Sequence, residues 1–118
     1  HFQSYPYAEA KLISCIKGKV WDVAVDLRKD SPTFSKWCFV ELSSKLNNSI
    51  FIPEGCAHGF QTLSSDCELI YIHSQKWFKE YDNGVNYRDK ILNISWPMPQ
   101  EHLSTKDINL PFLEDYDF

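Results

Sequence analysis

Residues Ile52-Pro53-Glu54-Gly55-Cys56-Ala57-His58-Gly59-Phe60-Gln61 set a histidine in a turn rich in proline and glycine, between two apolar strand-like runs. Ser49-Ile50-Phe51-Ile52 stands on one side, and Leu69-Ile70-Tyr71-Ile72 on the other, beyond a short polar turn. A histidine held this way sits at the mouth of a β-barrel or sandwich, where ligands bind. The plainer alternative is a hairpin corner with an incidental histidine.

Outward from this stretch, the chain reads as short strands with turns between them. Lys11–Ile16 is apolar, and Lys17-Gly18 is a turn signal. Lys19–Leu27 alternates, with Val20, Asp22, Ala24 and Asp26 on one face and Trp21, Val23, Val25 and Leu27 on the other. A period of two means a strand between two environments. Asp22 and Asp26 share their face with apolar neighbours, which points to an interior or cleft. Solvent-facing carboxylates are the ordinary alternative. Arg28–Ser35 is a polar loop, Lys36–Leu42 a further strand, and Leu46-Asn47-Asn48-Ser49 a turn. Ser49–Ile52, Gly59–Leu63 and Glu68–Ser74 complete the series. Asn83-Gly84 is a hairpin signal. Pro97, Pro99 and Pro111 punctuate an irregular tail, with a short helix around Thr105–Asn109 capped by Ser104 or Thr105. The pattern predicts one all-β domain over residues 1–118, an antiparallel sandwich or barrel with a short irregular or helical C-terminal tail.

Bulk properties narrow the function classes. A hydrophobic share of 43% in 118 residues is ample for one core, which excludes a disordered chain. A net charge of −4 disfavours a duplex nucleic-acid binder, although one local cluster of cations suffices for a phosphorylated ligand. No apolar run is long enough to span a membrane, and no signal-peptide pattern opens the chain, so a cytoplasmic protein is expected. Cys15, Cys38, Cys56 and Cys67 form no C-x-x-C pair, which argues against zinc. Cys15, Cys38 and Cys67 lie in apolar runs and read as buried free thiols.

Four separated segments now agree in order and spacing: AKL at Ala10–Leu12, VWDVAVDLRKDSPTF at Val20–Phe34, PEGCAHGFQTLS at Pro53–Ser64 and LSTKD at Leu103–Asp107. Together they resemble the dTDP-4-dehydrorhamnose 3,5-epimerase family, RmlC-type cupins that epimerise nucleotide-linked 4-keto sugars. The resemblance implies a cupin-type double-stranded β-helix, or jelly roll. It also implies that the chain opens inside the family pattern, at His1-Phe2-Gln3, without the family's N-terminal segment.

Epimerisation beside a ketone needs a base, a group that stabilises the enolate oxygen, and an acid on the opposite face of the ring. It requires no metal or redox cofactor. By resemblance, His1 is the base, where a loosely held first residue is the alternative. Lys11 stabilises the enolate, against a snorkelling surface lysine. Tyr71 is the acid, against a core tyrosine. Asp107 orients His1, against a helix-start carboxylate. Asp22 pairs with His58, which contacts the substrate together with Lys106. Trp77 stands where the family carries a tyrosine near the sugar ring, a departure that bears on whether C3, C5 or both are inverted. The implied ligand is a nucleotide-diphospho-sugar, dTDP-linked, in bacterial deoxysugar and polysaccharide synthesis.

Two other readings use the same residues: a sugar-nucleotide ketoisomerase, and a non-catalytic sugar-nucleotide-binding cupin. A metal-dependent cupin is disfavoured, because His1, His58, His73 and His102 include no His-x-His pair. Unpaired apolar strand edges predict a homodimer.

Overall fold

The Pro53–Cys56 turn is built as the sequence demands. Cys56 N donates to Pro53 O at 3.3 Å, and Gly55 adopts φ +83°, the left-handed conformation this turn needs at its third residue. A side chain there would also strike Arg28 Cγ at 2.6 Å.

The computed structural model describes residues 1–118 as eight strands, one short α-helix and two single-turn 3-10 helices, Lys79–Tyr81 and Leu113–Asp115. The strands are β1 (Phe2–Gln3), β2 (Lys11–Lys17), β3 (Lys19–Asp26), β4 (Trp37–Ser43), β5 (Ser49–Ile52), β6 (Cys56–Thr62), β7 (Glu68–His73) and β8 (Asp82–Asn83), and the helix is α1 (Thr105–Ile108). They form two antiparallel three-stranded sheets, ordered β5-β2-β7 and β4-β3-β6, and a small β1-β8 ribbon. The architecture is the expected all-β antiparallel sandwich.

Two cores hold it. Between the sheets, Ile13, Val20, Leu42 and Ile52 are fully buried and pack with Cys15 and Cys56. Each such aliphatic side chain contributes about 1.5–3 kcal/mol. On the outer face of β3, Val25 and Leu27 pack with Phe2, Ala57, Leu92 and Leu113. The tail therefore covers the second face, so both faces of β3 are buried. Trp37 Nε1 donates to Leu92 O at 2.9 Å, and the Trp96 ring lies 5.3 Å from Trp21. Buried Asn86 and Asp89 hold the irregular tail by side-chain bonds to the backbone. Asn86 donates to Ile108 O and Leu110 O, and Asp89 accepts from Leu92 N and Leu113 N.

Two expectations are corrected. Asn83-Gly84 turns no hairpin, because Asp82–Asn83 pairs with Phe2–Gln3 at the other end of the chain. Gly84 instead packs closely against the tail: a Cβ there would lie 2.8 Å from Leu110 Cδ1, and the leucine side chain would have to shift. Cys38 is exposed, because β4 is an edge strand, whereas Cys56 is buried behind the turn. Cys15 is buried, Cys67 is half-buried, and all four thiols are free.

Asp26 closes the end of β3. Its carboxylate accepts from Arg28 N, Nε and Nη2, Ser31 Oγ and Thr33 Oγ1, all at 2.5–3.0 Å. Arg28 foremost holds it far below the usual carboxylate range; burial opposes this, and Ser31 and Thr33 reinforce it. Asp26→Ala is expected to destabilise the fold by about 3 kcal/mol, because five donors lose their acceptor. The folded-state value is depressed, so this stability is present above the unfolded aspartate value of about pH 4 and is lost as pH falls through the folded value. Thermal melts of wild type and Asp26→Asn should differ most above about pH 5 and converge in acid. A difference that persists unchanged down to pH 2 would contradict this.

Candidate active site

β6 and β7 are edge strands of the two sheets, and the His58 and Tyr71 side chains they carry meet. Between them the sandwich opens into a cavity of about 610 Å³, within the range of small-ligand sites. His58 and Phe60 project from β6, Tyr71 from β7 and Lys11 from β2, with His1 and Asp107 completing the wall. The His58 and Tyr71 rings meet edge to face at 5.6 Å.

His1 is firmly held. Its backbone nitrogen donates to His58 O at 2.8 Å, and His58 N donates back to His1 O at 2.9 Å. Its Nε2 donates to Asp107 Oδ1 at 2.6 Å. That bond leaves Nδ1 with the free lone pair. Asp107 is placed by α1, whose N-cap Ser104 accepts from Asp107 N at 3.0 Å. The expected short helix and its Ser104 cap are both present.

His58 Nε2 donates to Asp22 Oδ2 at 2.8 Å, and both side chains are buried. This fixes the imidazole's tautomer. Asp22 Oδ1 has no hydrogen-bond partner. Its field acts on two neighbours. Burial first, and then Asp22, push the Tyr71 hydroxyl far above the ordinary tyrosine value. Burial pulls the Lys11 ammonium below the ordinary lysine range, and Glu9, Asp82 and Asp22 oppose that shift. The cavity thus presents a neutral hydroxyl, a buried lysine amine and an oriented imidazole.

Lys106 and Trp77 stand apart from the cavity lining. Lys106 Nζ donates to Asp82 Oδ2 at 2.5 Å. Trp77 is exposed, beyond the end of β7, with its indole beside Asp82. Burial raises Asp82, but Lys106 and then Trp77 outweigh it and hold the carboxyl below its usual value. No three His, Cys, Asp or Glu side chains come together as a metal-binding group.

Sequence reasoning missed the cavity's far wall. Trp96, Gln100, Glu101, His102 and Leu103 line it from the tail. Gln61 hitches that tail to β6: Nε2 donates to Met98 O at 2.9 Å, and Met98 N donates to Oε1 at 3.0 Å. The one available signal was Gln61 itself, an amide next to Phe60 on a strand.

The profile of the dTDP-4-dehydrorhamnose 3,5-epimerase family matches residues 1–115. The chain is 46% identical over 118 residues to a dTDP-4-dehydrorhamnose 3,5-epimerase of Shigella flexneri, all of this chain against 65% of that protein. The crystal structure of the corresponding Elizabethkingia anophelis enzyme superposes with a TM-score of 0.95 at 40% identity, over 99% of this chain and 65% of that one. The Legionella pneumophila dTDP-6-deoxy-D-glucose-3,5-epimerase, solved in complex with dTDP-4-keto-L-rhamnose, superposes at 0.93 with 38% identity, over 98% of this chain and 62% of that one. The chain therefore spans somewhat under two thirds of the length of these relatives. With both the profile and the whole-chain identity in agreement, the chain belongs to the dTDP-4-dehydrorhamnose 3,5-epimerase family.

Proposed function

We propose that this protein epimerises a nucleotide-diphospho-4-keto-6-deoxy sugar, dTDP-linked, at C3, C5 or both. The observation that carries this reading is the His1–Asp107 pair opening onto the cavity that Lys11 and Tyr71 also line. His1 Nδ1 takes the α-proton, and the C–H electron pair moves into the enolate, whose oxygen faces the Lys11 cation. Tyr71 returns a proton from the opposite face, and its raised hydroxyl stays protonated until then. The buried His58–Asp22 pair anchors the ligand. Lys106, next to Asp107 in α1, is the candidate phosphate contact, and its partner Asp82 also meets Trp77.

The test is proton exchange. The native protein is incubated with dTDP-4-keto-6-deoxy-glucose in D₂O, and C3 and C5 are followed by NMR. Deuterium entering either carbon, with inversion, is expected. Tight binding without exchange would instead indicate a non-catalytic sugar-nucleotide-binding protein. A carbonyl moved along the ring would indicate a ketoisomerase.

The protein is also proposed to act as a homodimer. Leu12, Phe51, Ile70 and Ile72 share the outer face of the β5-β2-β7 sheet and are all exposed. A second copy would cover that patch. Light scattering should report a dimer that Phe51→Glu weakens at least about tenfold; a wild-type monomer would overturn this.

A further inference from the structure

Glu9 precedes β2 and belongs to none of the motifs. Its side chain is only 11% exposed and touches two partners. His73 Nδ1 donates to Glu9 Oε2 at 3.0 Å, and Lys11 Nζ lies 3.6 Å from Glu9 Oε1 as an ion pair. Register explains the convergence. Lys11 on β2 stands opposite His73 on β7, and Glu9 lies two residues before Lys11, on the same side of the extended chain. The carboxylate is thus clamped by an imidazole on one side and faces an ammonium on the other.

Lys11 has several charged or titratable neighbours. Glu9 approaches from the segment before β2, Asp22 from β3 and Asp82 from β8. Tyr71 and His73 approach from β7, and His1 and His58 share the cavity. Only Glu9 forms an ion pair with the amine. Burial disfavours the charged form of Lys11, and Glu9 is the strongest influence opposing it.

We propose that Glu9 is a positioning residue of this site: held by His73, it keeps the Lys11 amine cationic and fixes where the ammonium points in the cavity. The inference rests on the epimerase reading above. The enolate oxygen gains its negative charge only as the α-proton leaves, so a cation held there lowers the barrier without tightening ground-state binding. A neutral amine would leave that charge without its counterion.

Glu9→Gln preserves shape and removes the charge. In the native protein it is expected to lower kcat about tenfold with KM within about twofold. The alkaline limb of the kcat–pH profile should move to lower pH by about one unit. Glu9→Asp should restore the limb. His73→Leu should move it in the same direction as Glu9→Gln, by less. NMR of ¹³C-lysine-labelled protein reads the Lys11 titration directly, without substrate, and should show the same downward shift in Glu9→Gln. An unmoved Lys11 titration, or a Glu9→Gln variant that loses thermal stability while keeping the wild-type limb, overturns the proposal. Wild-type protein that exchanges no α-proton, with Lys11 nevertheless shifted in Glu9→Gln, defeats the epimerase reading and leaves the Glu9–Lys11 coupling standing.

Discussion

His1→Ala is expected to lower kcat for α-proton exchange by about 10²–10⁴-fold, the usual worth of a positioned general base. The loss should fall on kcat rather than on ligand affinity, because in the proposed mechanism His1 takes the proton while the buried His58–Asp22 pair remains. The fold should survive: the His1 bonds to His58 are made by backbone atoms, which alanine keeps. Exchange into C3 and C5 in D₂O, beside calorimetric titration with dTDP, separates these effects. A variant that binds dTDP normally and exchanges at the wild-type rate would remove His1 from the mechanism.

Tyr71→Phe should separate two events that wild type joins. Its ring contact with His58 survives, but no hydroxyl remains on the second face of the sugar. Product formation is expected to fall by about 10²–10³-fold. Deuterium should still wash into the α-carbon with retention, because His1 can remove and return the proton on its own face. The pH profile carries a matching sign. Tyr71 is pushed up by burial and then by Asp22, so it stays protonated beyond the ordinary tyrosine range and does not set the alkaline limb. In the proposed mechanism Lys11, pulled down by burial, should set it instead. Loss of wash-in along with product would move the base function onto Tyr71.

The residues differ in how plainly the chain announces them. Lys19–Asp26 advertises a strand because alternation is local, and its Asp22 shares an apolar face that does become interior. The turn at Gly55 is equally local, since only glycine relaxes at that φ. The tail has no period to read. Asn86, Asp89 and Gln61 hold it by bonds across 22–37 residues, and nothing in its composition states the partners. Asn83-Gly84 misled because its dipeptide chemistry suits a turn, while tertiary pairing with β1 and the Leu110 contact decided the outcome. Within the site, His58 stands out because it follows the Pro53–Cys56 turn so closely, although the structure places it on β6 rather than in the turn. Glu9 does not, because its meaning depends on the cross-strand pairing of Lys11 with His73, which exists only once β7 has docked.

The paired backbone bonds between His1 and His58 have a kinetic corollary. The imidazole that would move the proton and the imidazole that would hold the ligand belong to one hydrogen-bonded unit, so their relative placement is fixed when the chain folds. The conformational entropy of aligning them is lost at that stage rather than at each encounter with substrate. Turnover should therefore show little dependence on solvent viscosity arising from rearrangement of these two residues.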